Sequence, residues 1–132
     1  MTIEEIQKNN QLIAEFMGWY KKEYPSHINS PFHGRDIWFM KTGYNCGQSV
    51  CEAGKEFFHN SWEWLMEVVN KINSFEENGV FTYGVIIAPE ACVIERPTQY
   101  GNIENEHGAT LIEMVYLTIV EFIEWYNKEV KK

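Results

Sequence analysis

Regular spacing of apolar residues near the start of the chain predicts a helix over residues 3–24. Thr2 and Glu5 have the spacing of a capping box, in which each side chain bonds to the other residue's backbone amide. At 100° per residue, one face of this helix collects the apolar side chains Ile6, Ile13, Met17, Tyr20 and Tyr24. We expect Pro25 to end the helix, because the residue before a proline is disfavoured in the α conformation.

The next segment alternates between loop and strand composition. Residues 26–35 are rich in Ser, Asn, Pro, Gly and His, which predicts a loop. Residues 36–44 are aromatic and branched and are closed by a glycine turn, so they predict a strand. Residues 45–55 form a second irregular stretch. The sequence assigns no role to either loop.

A second amphipathic helix is predicted over residues 61–74, with Asn60 as its N-cap and Glu63 in its first turn. Its apolar arc spans about 200°, roughly twice the width of an ordinary surface helix. Trp62 and Trp64 lie on opposite flanks of this arc, because two positions differ by about 200° on the helix. We expect Trp62 to pack in the core, and Trp64 to be partly exposed or covered by another chain or ligand.

Two apolar runs within residues 79–96 are separated by Pro89 and Glu90, which predicts a β-hairpin. A polar loop over residues 97–108 follows. Its length is unusual for a compact domain, and its role stays open.

The last predicted helix opens at Thr110, with Glu113 three residues on, and ends near Glu129. Its polar stripe is narrow, so we expect it to be the central element of the fold. The order α-β-α-β-β-α predicts a small α+β protein in which helices pack on an antiparallel sheet. We expect one domain over residues 1–132.

Three helical segments carry a resemblance: "LIAEFMGW", "HNSWEWLMEVVNKI" and "IEMVYLTIVEFIEWYN". They resemble segments of short uncharacterised proteins of phages and Bacteroidota prophages. The resemblance implies an accessory protein of a mobile element inside a bacterium. It implies no known chemistry and no catalytic residues.

The formal net charge of the 132 residues is −8, which argues against a nucleic-acid backbone as partner. A basic protein surface or a cationic ligand suits it better, although the acidity also suits simple solubility. Glu4 and Glu5 stand where an export signal needs positive charge, and no apolar run is long enough to cross a bilayer. Three cysteines, an odd number, favour reduced thiols. We therefore expect a cytoplasmic protein that does not insert in a membrane.

Candidate chemistry lies in and beside the two loops. Cys46 and Cys51, together with His27, His33 or His59, offer the ligands that zinc prefers, but their spacing is wider than in common zinc knuckles. A Cys51–His59 nucleophile pair and an anion site at Arg35 are further options. We expect no metal and no cofactor. The alternative hypothesis is a small enzyme or small-ligand-binding protein that uses His33, Arg35, Cys46, Cys51 and His59.

The surplus of aromatic residues favours a different function. Leu12, Phe16, Trp19, Trp64 and Trp125 lie at or beyond the margins of the predicted apolar faces, and tryptophan is a frequent energetic anchor in interfaces. They either pack under loops of the monomer or form a binding surface. Our main hypothesis is a non-enzymatic cytosolic protein-binding protein, phage-derived and inhibiting a host protein. The wide apolar arcs also predict a homodimer.

Overall fold

The computed structural model describes residues 1–23, 36–40, 49–52, 56, 58–106 and 110–131. Within these residues the chain forms three helices and eight short strands, and every paired strand is antiparallel. The fold is therefore α+β, as predicted. Its strands form three small sheets instead of one, and they outnumber the predicted strands. Contacts divide the chain into two compact units, Met1–Glu56 and Phe57–Lys132.

The first unit opens with helix α1, Ile3–Phe16. The predicted capping box is confirmed at its start. The Thr2 backbone N–H donates to Glu5 Oε2 at 3.0 Å, and the Glu5 N–H donates to Thr2 Oγ1 at 3.1 Å. These two bonds satisfy amides that the first turn of a helix otherwise leaves unpaired.

Helix α1 ends at a glycine. Gly18 has a φ of +82°, the left-handed conformation that glycine adopts without steric cost. The Trp19 N–H donates to the Ala14 carbonyl and the Gly18 N–H to the Glu15 carbonyl, both at 3.0 Å, which is the Schellman pattern of helix ends. The predicted continuation of the helix to the proline is wrong, because residues Tyr20–Glu23 form strand β1.

Strand β1 pairs with β2, Asp36–Met40, which pairs in turn with β3, Ser49–Glu52. The predicted strand is confirmed over residues 36–40, and its last four residues lie outside the described part of the chain. The prediction of an irregular stretch over residues 45–55 is wrong for residues 49–52, which form a strand. Consecutive residues Ile37 and Trp38 are both buried, so β2 is covered on both faces.

One buried polar residue, Glu56, joins the helix and the sheet of the first unit. The Glu56 carbonyl accepts a hydrogen bond from Asn10 Nδ2 at 3.2 Å, and the Glu56 carboxylate accepts one from Trp38 Nε1. All three residues are buried. Each of these hydrogen bonds therefore compensates the cost of removing a polar group from water.

The second unit begins with helix α2, Trp62–Ser74. Its N-cap is Ser61, whose hydroxyl accepts from the Trp64 backbone N–H at 3.4 Å. The prediction of Asn60 as the cap is wrong by one residue. The buried face of the helix comprises Leu65, Val68, Val69 and Ile72.

A three-stranded sheet lies after α2 in the chain. Strands β6, Gly84–Ala88, and β7, Ala91–Glu95, form the predicted hairpin around Pro89 and Glu90, and this prediction is confirmed. Strand β8, Ile103–Asn105, pairs with β7. The segment predicted as a polar loop therefore contains a strand. Two further strands, β4 at Glu76–Glu77 and β5 at Val80–Phe81, form a separate small hairpin.

The C-terminal helix α3, Leu111–Glu129, packs on β7, β8 and α2. Eight of its residues are buried, against four in each of α1 and α2, so it is the most buried of the described helices. Thr118 is one of them. Its hydroxyl donates to the Met114 carbonyl at 2.6 Å and accepts from Asn105 Nδ2 at 2.9 Å, which joins the helix to the end of β8.

Candidate functional site

A tight hairpin of the second unit forms the outer part of the candidate site. Its two-residue turn consists of Asn78 and Gly79, with φ angles of +54° and +81°. Positive φ at both turn positions characterises the type I′ turn, whose twist matches that of antiparallel strands. Just beyond the strands, the Thr82 N–H donates to the Phe75 carbonyl at 2.9 Å and closes the hairpin.

The second strand of this hairpin exposes two large apolar side chains. Val80 is 68% exposed and Phe81 is 66% exposed, the largest values for hydrophobic residues after Ile3 in the described chain. Scattered exposed apolar residues are normal on protein surfaces, but adjacent ones beside a cavity mark candidate interaction sites.

Two cavities adjoin the hairpin. The outer groove has a volume of about 430 Å³ and is lined by Glu77, Asn78, Val80, Phe81, Thr82 and Pro97. The aromatic pocket has a volume of about 200 Å³ and is lined by the rings of Phe75, Tyr83 and Tyr126 together with Glu76, Glu77, Thr82 and Val130. Glu77 and Thr82 line both cavities, so the two cavities are neighbours on the same hairpin and together form the candidate site.

The rings of the aromatic pocket are held by one another. Phe75 stacks on Tyr126 with ring centroids 5.4 Å apart and an interplanar angle of 24°. Tyr83 stands at 89° to Phe75, with centroids 5.8 Å apart. Below them, the fully buried Phe122 contacts Tyr83 edge-on at 4.9 Å. Aromatic pairs of this geometry contribute about 0.5–1.5 kcal/mol beyond the area that they bury, so the pocket walls are preorganised.

A cationic side chain braces the turn that follows β7. The Arg96 guanidinium lies 4.7 Å from the ring centroid of Trp125. Its Nε donates to the Gly101 carbonyl at 2.8 Å and one terminal nitrogen donates to the Tyr100 carbonyl at 2.6 Å. Trp125 also contacts Tyr83 and Tyr100 edge-on. The expected surface residue Trp125 therefore packs within its own unit.

The phenol of Tyr83 belongs to this aromatic cluster. Burial raises its pKa, and the nearby Tyr126, Tyr100 and Glu77 raise it further, while Arg96 lowers it. The hydroxyl is therefore neutral at neutral pH. It gives the pocket a polar group without a charge.

The structure corrects part of the predicted binding surface. Phe16 and Trp19 are only 8% and 7% exposed, and Leu12 is half-buried, so Phe16 and Trp19 follow the alternative in which these residues pack within the protein. For Trp19, the physical reason is the early end of α1. Trp19 lies beyond the helix, and its position does not follow from helical spacing.

The expectation for the tryptophan pair of α2 is wrong for Trp62, whereas Trp64 is partly exposed, as expected. Trp62 is 41% exposed, whereas Trp64 is half-buried and contacts the buried Phe58 edge-on at 5.3 Å. The apolar arc was wide enough to allow either flank to face the core. The core contains Val68, on the flank of Trp64, and Met66 on the other flank is exposed.

The alternative ligand residues do not assemble into a described site. His33, Arg35 and Cys46 lie outside the described residues, and only the backbone of Cys51 is described, in β3. The His59 ring lies 6.2 Å from the Tyr116 ring and belongs to the second unit. No group of three or more His, Cys, Asp or Glu side chains in the described ranges is placed to hold a metal ion.

The sequence contained a signal for the hairpin that its interpretation missed. Asn-Gly between short runs of strand-forming residues is the strongest local indication of a two-residue hairpin turn. Here Asn78-Gly79 stands between Glu77 and Val80. The strand-forming residues from Gly79 onward also fit the first strand of the longer hairpin, so the sequence pattern does not separate the two hairpins.

Comparison with protein-family models, curated proteins and solved structures found no match for this chain. Within the described residues, none of the helices has the length and apolar character needed to cross a membrane.

Proposed function

We propose that this chain is a non-enzymatic protein-binding protein whose partner docks on the β4–β5 hairpin through a basic, partly apolar surface. The observation that carries the proposal is the pair Val80 and Phe81, two-thirds exposed at the rim of the outer groove. Both residues line this groove, so a partner segment that docks in it contacts both. Such central apolar contacts supply most of the affinity of protein interfaces.

The charge of the site supports the choice of a basic partner. Glu76 and Glu77 are exposed beside the apolar residues, and the chain has a formal net charge of −8. Complementary charge accelerates association and rejects acidic competitors. The same charge disfavours nucleic-acid phosphates, whose binding depends on clustered lysine and arginine.

The proposal also covers the compartment in which the chain acts and the effect of its binding. Three helical segments resemble those of short phage and prophage proteins, so we propose a cytoplasmic accessory protein of a bacterial mobile element that inhibits a host protein by covering its basic surface. The buried thiol of Cys92 suits a reducing compartment.

A homodimer is part of the same proposal. Trp62 and Met66 are one turn apart on α2 and are 41% and 37% exposed, which offers an apolar patch remote in sequence from the hairpin. Light scattering should give a dimer for the native chain and a monomer for Trp62→Ser. A native monomer at high concentration would remove the dimer and leave the hairpin proposal intact.

The test of partner binding is site-specific photo-crosslinking in bacterial cells. A photoreactive phenylalanine analogue replaces Phe81 in one variant and Ile86 in a matched control, because Ile86 is also an exposed apolar strand residue but lines neither cavity. We expect a basic protein to be crosslinked from position 81 and not from position 86. The purified partner should then bind the native chain and lose affinity for Val80→Ser and Phe81→Ser in calorimetry. Equal crosslinking from both positions, or unchanged affinity, would overturn the proposal.

A further inference from the structure

The size of the aromatic pocket limits what it can bind. At about 200 Å³ it is smaller than the range of roughly 300–1,000 Å³ typical of sites for whole small molecules. A single side chain fits this volume better. The pocket also shares the lining residues Glu77 and Thr82 with the outer groove, so a partner docked in the groove lies next to it.

The lining of the pocket is suited to a cation. The faces of aromatic rings carry negative electrostatic potential and attract positive charge within about 6 Å of the ring centre. Phe75, Tyr83 and Tyr126 supply three such rings, and Glu76 and Glu77 add two carboxylates. The described lining residues include no basic side chain. Beyond the effect of burial, Glu77 raises the pKa of Tyr83 and Arg96 lowers it, so a carboxylate that lines the pocket and a guanidinium that does not line it both act on this phenol.

The angle between the rings distinguishes between the two basic side chains. A planar guanidinium stacks on one ring face, whereas an ammonium is compact and approaches several surfaces at once. Phe75 and Tyr83 are nearly perpendicular, at 89°. A corner between perpendicular rings suits the compact group.

We propose that the aromatic pocket binds the ammonium group of a lysine side chain that the protein partner presents. This inference rests on the proposed function and deepens it, because it names the chemical group that the same site recognises. The ammonium lies against the rings of the pocket and the nearby Glu77 carboxylate, and the lysine alkyl chain leads out of the pocket.

The experiment is a nuclear magnetic resonance titration of the whole chain with small probes. The probes are Nα-acetyl-lysine N-methylamide, its norleucine and arginine counterparts, and n-butylammonium. We expect saturable shifts of the Glu77, Thr82 and Tyr83 amides with the lysine probe, and affinity at least five-fold weaker with norleucine, which has the alkyl chain but no charge. The arginine probe should also bind more weakly. Equal binding of lysine and norleucine, or stronger binding of arginine, would overturn the assignment.

The matched variants test the two components of the pocket. Glu77→Gln removes the charge, Tyr126→Leu removes a ring, and Glu90→Gln is the control, because Glu90 is an exposed carboxylate in the β6–β7 turn and lines neither cavity. We expect the first two to weaken the lysine probe about five-fold, near the upper range for an exposed charge contact, and the control to leave it unchanged. Unchanged binding in both pocket variants would contradict the inference. Tighter binding of n-butylammonium than of the lysine probe would assign the pocket to a free amine instead.

The two proposals fail in different ways. If the partner loses affinity for Phe81→Ser but binds Glu77→Gln and Tyr126→Leu as tightly as the native chain, the lysine pocket is wrong and the docking surface stands. If Phe81→Ser has no effect on any partner while the lysine probe binds the pocket, the docking surface is wrong.

Discussion

The hydrogen bond between Asn105 and Thr118 predicts a measurable coupling between strand β8 and helix α3. Thr118 is completely buried, and its hydroxyl accepts from Asn105 Nδ2 at 2.9 Å while it donates to the Met114 carbonyl. Thr118→Val keeps the shape of the side chain and removes the hydroxyl. The half-buried Asn105 amide then loses its best acceptor.

The expected cost follows from the surroundings of that amide. A net hydrogen bond contributes about 0.5–1.5 kcal/mol, and a fully buried unsatisfied donor costs about 1–3 kcal/mol. Asn105 is only half-buried, and Glu121 Oε2 lies 3.4 Å from the same nitrogen, so part of the loss can be recovered. We therefore expect Thr118→Val to lower the free energy of unfolding by about 1–2 kcal/mol.

A double-mutant cycle isolates the pairwise contribution. Thr118→Val, Asn105→Ala and the double variant are measured by urea denaturation followed by far-ultraviolet circular dichroism, with equal slopes as the check on comparable unfolding. We expect a coupling energy of about 1 kcal/mol. Thr118→Ser retains the hydroxyl and should retain the coupling with Asn105. A coupling within about 0.3 kcal/mol of zero, the usual limit of additivity, would refute the reasoning.

Three further predictions concern single side chains. Burial raises the pKa of the Cys92 thiol, and its hydrogen bond with Thr118 offsets this only in part. Iodoacetamide should therefore label Cys92 far more slowly in the native chain than in urea, as followed by peptide mass spectrometry. Equal labelling rates would contradict this. Burial likewise raises the pKa of Tyr83, so its contribution to stability is complete below about pH 10 and declines as pH rises toward the folded-state value. Urea midpoints between pH 9 and 11 should therefore fall less for Tyr83→Phe than for the native chain, and parallel curves would argue against it. Val80→Ser and Phe81→Ser should change the free energy of unfolding by no more than about 0.5 kcal/mol, since both side chains are mostly exposed; a loss above 2 kcal/mol would show that they are structural.

Local signals in the sequence predicted local structure well. The Thr2–Glu5 capping box and the two-residue turn at Pro89 and Glu90 are both present, because their determinants lie within a few residues of each other. Such determinants act whatever the rest of the fold does. The α+β class followed from the same short-range patterns.

The end of the first helix shows where periodicity misleads. Apolar residues continue at helical spacing as far as Tyr24, but Gly18 offers a left-handed conformation and two backbone bonds that complete the helix at Phe16, eight residues earlier. A periodic pattern describes which face would be buried in a helix. It does not establish that the helix continues.

The orientation of α2 could not be predicted because it depends on contacts distant in sequence. Its arc of apolar residues was recognised, but the choice between the Trp62 flank and the Trp64 flank is made by packing against Phe58 and the remaining core of the second unit. Both flanks are equally apolar. Only the tertiary arrangement distinguishes them.

The turn of the candidate site could be predicted from the sequence, but the residues around it could not. Asn78-Gly79 is a strong hairpin signal in the sequence alone. That Tyr126, from the far end of α3, stacks on Phe75 and completes the aromatic pocket is a long-range contact that no local pattern contains.

The geometry of Gly79 has a consequence for genetic mapping of the interface. A Cβ atom on Gly79 would meet no atom within 4 Å apart from those of Gly79 and its two chain neighbours, yet its φ of +81° is one that side-chain-bearing residues rarely adopt. Replacing it would alter the turn and displace Val80 and Phe81 without removing a single side-chain contact. In a random-mutagenesis screen for loss of binding, alleles at codon 79 would be recovered together with those of the contact residues. A binding surface mapped from such alleles would then include Gly79, which has no side chain to contribute.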